Sequence, residues 1–210
     1  MARGRPIFAA VYNVIGRVDE RAGMAERRRD LLAQAHGRIV EIGAGTGLNF
    51  SHYPPPVTKV EATEPDPYMR KRARKAAAVA PVPVTVTDAA AEALPFEDAS
   101  FDAAVSSLVL CSVRDLDMAL HEVRRVLKPG GRLLFFEHVR GGDRLARWQD
   151  RLERPWGWFA GGCHPNRDTL QAIREAGFEP EQVEEFDFNS ALVLVRPHAQ
   201  GAAARPLDGR

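Results

Sequence analysis

The sequence predicts a doubly wound α/β domain with a seven-stranded, mostly parallel sheet and an antiparallel strand at its C-terminal end. Three observations predict it. Apolar runs of strand length alternate with helical patterns along most of the chain. The first run, residues 39–43, leads into three glycines spaced two apart, Gly43, Gly45 and Gly47. Such strand-then-glycine turns occur in open parallel sheets that bind ligands at the C-terminal ends of their strands. Two late apolar runs, 183–188 and 191–195, flank Asn189-Ser190 in the manner of a hairpin.

Taken in order, residues 6–18 carry Ile7, Phe8, Val11, Tyr12, Val14 and Ile15 and read as an amphipathic helix, with a membrane-surface anchor as the competing reading. No cleavage-site pattern follows them, and no apolar run approaches the roughly 20 residues that span a bilayer. Residues 19–36 read as a helix. After the strand at 39–43 a helix is expected from Thr46 onward, and the prolines at 54–56 lead to a second strand at 57–63. Residues 66–79 read as a helix whose Arg70, Lys71, Arg72, Arg74 and Lys75 form an outer face. Val82, Val84 and Val86 alternate as a strand, and 101–107 is a fourth. Leu116, Ala119, Leu120, Val123 and Leu127 recur at helical spacing before a Pro129-Gly130-Gly131 stop. Residues 132–138 suit a strand buried on both faces. The stretch 142–166, rich in Trp, Gly and Pro, reads as irregular, 168–176 as a helix closed by Gly177, and the tail after Pro197 as disordered. This divides the chain into an N-terminal helical cap (1–37), one domain (38–197) and a tail (198–210).

With 210 residues, 45% hydrophobic and 27% charged, the chain suits one globular domain. A net charge of +1 gives no reason to expect a nucleic-acid partner. Two cysteines, Cys111 and Cys163, are too few for a disulfide framework and fit a reducing, cytoplasmic setting. Neither Glu26-Arg27-Arg28-Arg29 nor the basic run after Tyr68 reads as more than a solvated face.

Four features converge on the sheet's C-terminal edge. The glycine loop runs Gly-x-Gly-x-Gly with Leu48 next, so the dinucleotide pattern Gly-x-Gly-x-x-Gly is not met. Glu64 ends the second strand about twenty residues on, where a carboxylate can accept both hydroxyls of a ribose. Residues 90–96 follow the third strand and can pass an adenine edge with backbone groups. Ser107, in Val105-Ser106-Ser107-Leu108, ends the fourth strand beside the donor site.

Glu41-Ile42-Gly43-Ala44-Gly45-Thr46-Gly47, Ala91-Glu92-Ala93-Leu94-Pro95-Phe96 and Arg125-Val126-Leu127-Lys128-Pro129-Gly130-Gly131 together resemble the class I S-adenosylmethionine-dependent methyltransferases (methyltransferase type 11 group), including the quinone-biosynthesis C-methyltransferases. Further matches at 108–113, Phe136-Glu137-His138-Val139, Gly162-Cys163 and Arg196-Pro197-His198 are similar to animal thiol S-methyltransferases; no counterpart of their N-terminal membrane anchor is read here. The resemblance implies a Rossmann-like methyltransferase fold and S-adenosylmethionine as cofactor. It implies that Gly43, Gly45 and Gly47 admit the carboxypropyl and ribose parts, that Glu41 holds the loop or the cofactor's amino group, that Glu64 binds the ribose and that the Ala91 backbone meets the adenine. At Ala90, where many relatives carry Asp, the chain departs from the pattern; Asp88 stands two residues earlier.

A sulfonium donor is already activated, so transfer mainly requires an acceptor held in line with the methyl group. A thiol needs little help from a base, an alcohol or carbon acid much more. The sequence contains no clear triad, no paired carboxylates and no metal-ligand spacing; Cys163-His164 lacks a zinc pattern, so no metal is expected. Glu137 and His138, at the end of the fifth strand, are the candidate catalytic residues. Cys111 reads as core, and Cys163 as a buried thiol or pocket lining. Trp148, Trp156, Trp158 and Phe159 read equally as a hinged acceptor-pocket cover or as core. The favoured reading is a methyltransferase for a small, lipophilic acceptor, preferably a thiol. A quinone or phenol methyltransferase, a silent cofactor-binding module and, more remotely, a nicotinamide-dependent reductase are the alternatives.

Overall fold

A computed structural model describes residues 23–188 and 192–207. The helix expected at 6–18 and the turn at Asn189-Ser190 lie outside these residues. The elements run α1 (Ala25–Leu32), β1 (Gly37–Ile42), β2 (Val57–Thr63), α2 (Pro67–Ala77), β3 (Val84–Thr87), β4 (Phe101–Ser107), α3 (Leu116–Val126), β5 (Leu127–His138), α4 (Asp143–Phe159), α5 (Thr169–Glu175), β6 (Glu179–Asp187) and β7 (Pro197–Ala204). They build one seven-stranded sheet in the order β3-β2-β1-β4-β5-β7-β6. β1 to β5 pair in parallel, while β7 runs antiparallel to both β5 and β6.

Alternation along the central strands splits the core into two layers. Leu133 and Phe135 of β5 join Val40, Ile42 and Ala104 under α3 and α5, against Leu120, Val123 and Ile173. Leu134 and Phe136 join Ile39, Val60 and Val105 on the opposite face, under α1 and α2, against Leu31, Leu32 and Ala73. Three helices start at aspartate caps. Asp66 accepts from the Tyr68 and Met69 amides, Asp115 from Met118, and Asp168 from Gln171, satisfying amides that have no partner within the helix.

Three expectations are corrected. No α-helix follows the glycine loop: only a 3₁₀ turn, Phe50–His52, forms before the prolines. The flanking side chains of Asn49 and Tyr53 are drawn inward to Glu41 instead. The segment thought irregular is mostly the 17-residue helix α4. Pro155 and Gly157 read as breakers, yet the helix runs through both and ends two residues after Gly157; Pro155 removes one N–H donor without stopping it.

The third correction concerns the C-terminus. The apolar run at 191–195 does not form the last strand; Val193–Val195 is a 3₁₀ turn. The tail read as disordered supplies β7 instead, its residues 198–203 buried between β5 and β6. Small side chains permit this. A Cβ on Gly201 would come within 2.1 Å of the Gln182 carbonyl oxygen, so the neighbouring strand passes where a larger residue would stand.

Candidate functional site

The loop after β1 turns through positive φ at Gly43 (57°), Gly45 (58°) and Gly47 (83°), a region costly for residues with a Cβ. Space is short as well. A Cβ on Gly43 would lie 2.6 Å from Val109 Cγ1, and one on Gly47 would lie 2.8 Å from Phe50 and 2.9 Å from the Ala76 methyl. The backbone is therefore bare at the C-terminal edge of the sheet, where Leu108, itself at φ 59°, turns the chain out of β4.

Two buried carboxylates hold the loop from either side. Glu64 Oε2 accepts from the Gly45 amide at 2.7 Å and Oε1 from the Asp66 amide at 2.8 Å. Burial pushes its pKa up to about 7 against these two N–H donors. Glu41 Oε2 accepts from the Tyr53 hydroxyl at 2.5 Å, and Oε1 from Asn49 Nδ2 at 3.1 Å. Burial lifts it to about 7 too, with Tyr53, Asn49 and the Arg28 charge pulling the other way. Asn49 also donates to Ser107 Oγ at 3.2 Å and accepts from Arg28 at 2.9 Å. Asn49 thus ties the segment after the glycines to β1 through Glu41 and to the end of β4 through Ser107. The Asn49–Tyr53 bracket escaped sequence reasoning, since nothing in its spacing marks two polar side chains as turned inward.

The segment after β3 is braced by the helix leading into the Arg125–Gly131 motif. Arg125 donates to the carbonyls of Leu94 (3.0 Å) and Phe96 (2.8 Å), while Glu122 accepts from the Leu94 amide at 2.8 Å. Glu92 Oε1 accepts from the Arg114 amide at 2.8 Å. Ala91 is buried among Val40, Ile42 and Leu94. Asp88 forms a two-pronged ion pair with Arg70, at 2.9 and 2.8 Å, and Arg70 also donates to the Glu64 carbonyl at 2.7 Å.

At the end of β5, Glu137 is fully buried. Its Oε1 accepts from Ser106 Oγ (2.6 Å) and the Val109 amide (3.0 Å), and its Oε2 from the Cys111 amide (3.3 Å). His138, beside it, is half-buried and places Nδ1 3.5 Å from both Cys111 Sγ and Cys163 Sγ. Its ring lies 4.7 Å from that of His198 in β7. Burial lowers the His198 pKa to about 3, with His138 adding to the shift. Of the aromatic stretch, Trp156 packs against the two cysteines, whereas Trp158 and Phe159 are 80% and 77% exposed, so neither of these two is core.

The structure therefore brings Glu41, Gly43, Gly45, Gly47, Glu64 and Ser107 around one loop, with Ala91 on the braced segment and Glu137–His138 one strand further on. Sequence reasoning missed the convergence of Cys111, His138 and Cys163. They are 27 and 25 residues apart and come from two separate connections and the last residue of β5, so no local spacing announces them.

A seven-stranded sheet of this order, with a bare glycine loop after β1 and an acidic residue closing β2, defines a nucleoside-cofactor enzyme of the doubly wound class. A methyltransferase-domain model matches residues 40–135. The chain is 34% identical over 195 residues to a thiol S-methyltransferase of Rattus norvegicus, covering 87% of this chain and 80% of that one. To one of Homo sapiens it is 32% identical over 211 residues, covering 94% and 83%. A solved S-adenosylmethionine-dependent methyltransferase of Mesorhizobium loti superposes with a TM-score of 0.64 at 28% identity, over 88% of this chain and 98% of that chain. The chain belongs to the class I S-adenosylmethionine-dependent methyltransferase family. It is an enzyme that uses S-adenosylmethionine as methyl donor, and among the described residues no helix is long and apolar enough to cross a membrane.

Proposed function

We propose that the protein transfers the methyl group to the sulfur of a small, lipophilic thiol. The observation that carries this reading is the character of the edge beyond the glycine loop. There Cys111, His138 and Cys163 stand together among apolar groups, and the neighbouring carboxylate, Glu137, is buried and already holds three donors. A phenol or carbon acid needs a base free to take its proton, whereas a thiol yields enough thiolate near neutral pH to need mainly positioning. The relatives named thiol S-methyltransferases support the same reading.

The cofactor's own contribution is a methyl group on a positively charged sulfur, ready for in-line displacement. The Gly43–Gly47 backbone, with no side chain at its three positive-φ turns, leaves a ligand free to lie close to it. Glu64 is assigned to the ribose hydroxyls, Ala91 to the adenine edge, and Glu41 with Ser107 to holding the loop in shape. Glu137 acts by fixing residues 109–111 through their amides. His138 turns Nδ1 toward Cys111 and Cys163.

Calorimetry with S-adenosylhomocysteine tests the donor assignment. Wild type binds and Glu64→Ala loses at least tenfold in affinity; equal binding by both overturns the assignment of Glu64. A panel of alkyl thiols, phenols and quinols assayed by mass spectrometry tests the acceptor. Methyl thioethers are expected, and turnover confined to phenols or quinols refutes the thiol reading.

A further inference from the structure

We propose that Cys111, His138 and Cys163 form a binding site for a thiophilic divalent cation, Zn²⁺ by preference, whose fourth position receives the sulfur of the acceptor. The second half of this statement rests on the thiol reading above; the first does not. The ligating atoms of the three side chains all lie within 4.8 Å of one another. Both Sγ to Nδ1 separations are 3.5 Å. A sulfur and a nitrogen on one tetrahedral zinc lie ~3.6 Å apart, from bonds of ~2.3 and ~2.0 Å, so two edges of the tetrahedron already have their length. Two sulfurs and an imidazole nitrogen are a donor set that selects zinc over the hard cations. Three protein ligands leave one position open, as catalytic rather than structural zinc sites do.

The triangle is held from outside, as a metal site requires. Arg167 donates to the carbonyls of Leu110 and Val113, each at 2.7 Å, and so spans the turn that carries Cys111. The His164 amide donates to the Cys111 carbonyl at 2.7 Å, joining the two cysteine-bearing loops. From the other side, Glu137 accepts from the Cys111 amide. The site also stands close to the donor loop. Val109 fills the space beside Gly43, and Cys111 follows it by two residues, at most ~7 Å of chain.

The step this arrangement serves is balanced without a further reactant. Coordination lowers the acceptor's thiol pKa, and its proton leaves to solvent. The thiolate sulfur then forms a bond to the methyl carbon as the sulfonium C–S bond breaks. That bonding pair stays on the departing S-adenosylhomocysteine, and the methylated thioether, a poorer ligand than the thiolate, leaves the cation.

The full chain, stripped with a chelator and kept in a non-chelating phosphine reductant, is titrated with Zn²⁺ against a chromophoric competitor and, separately, with Co²⁺. One Zn²⁺ per chain is expected, with Co²⁺ giving thiolate charge-transfer and tetrahedral d–d bands. Cys163→Ser and His138→Asn, checked for folding by circular dichroism, lose at least tenfold in affinity. Failure of the wild type to bind stoichiometrically, or unchanged affinity in both folded variants, overturns the site. Adding an alkyl thiol to the Co²⁺ protein without S-adenosylmethionine shifts the charge-transfer bands if the open position takes the acceptor; an unchanged spectrum refutes that half. Thiol methylation at full rate in stripped protein refutes the role of the cation and leaves the thiol reading standing. Stoichiometric Zn²⁺ without methylation of any thiol does the reverse.

Discussion

Glu64 and Glu41 are both lifted to about 7 by burial, yet the pH dependence they impose differs. A ribose hydroxyl donates its hydrogen to an ionised carboxylate, so the cofactor selects the deprotonated form of Glu64. Affinity for S-adenosylhomocysteine is expected to weaken about tenfold from about pH 8 to about pH 6, where a group titrating near 7 passes from mostly ionised to mostly neutral. Fluorescence titration across that range should show the loss in wild type and a flat, weak profile in Glu64→Gln. Glu41 reports on stability instead. Its native pKa is raised above its unfolded value, so the native state keeps a proton that the unfolded chain has released. The stability involved is whole below the unfolded pKa of 4.5 and is lost as pH rises through about 7. Between about pH 5 and about pH 8 the wild type should lose up to about 3 kcal/mol relative to Glu41→Gln in urea titrations. Parallel pH profiles for the two proteins would refute this.

The loops at the C-terminal edge take their shape from elements distant in sequence. The Ala91–Phe96 segment is built by Arg125 and Glu122 of α3, through the carbonyls of Leu94 and Phe96 and the amide of Leu94. This explains why the two motifs occur together: one is the buttress of the other. Arg125→Ala leaves two carbonyls and Asp98 without their donor. We expect a stability loss of about 1–3 kcal/mol, and a several-fold weaker hold on the adenine end of the cofactor, read as raised KM for S-adenosylmethionine with kcat little changed. An effect on kcat alone would place the segment elsewhere. Elements of this kind were legible to different degrees. β1, β2, β4 and α3 carry strong apolar periodicity and lie near their expected places. The helix α4 was missed because Pro155 and Gly157 outweighed the helical content before them. The cofactor loop was legible because glycine spacing is a local signal. The Cys111–His138–Cys163 triangle was not, because only tertiary folding brings two connections to the end of β5.

For the molecule as a whole, the largest departure from the sequence reading is β7. Ala199, Gly201, Ala202 and Ala203 have none of the β-branched or aromatic character that marks a strand, and the run at 191–195 has it in abundance. What decided the matter was room between neighbours, which propensity does not measure. Gly201→Ala should test it, since the added methyl would meet the Gln182 carbonyl at 2.1 Å. A loss of about 1–3 kcal/mol or more is expected from such overpacking, seen as a lowered melting temperature, and an unchanged melt would be incompatible with this pairing. The position of β7 also sets an order of events. Among the described residues β6 pairs with β7 alone, and β7 lies between β6 and β5. On the ribosome β6 emerges first, with no ladder to join, while β5 presents an unpaired edge. Both wait for residues 197–204, and a chain paused in that interval offers two open strand edges to any other nascent chain nearby.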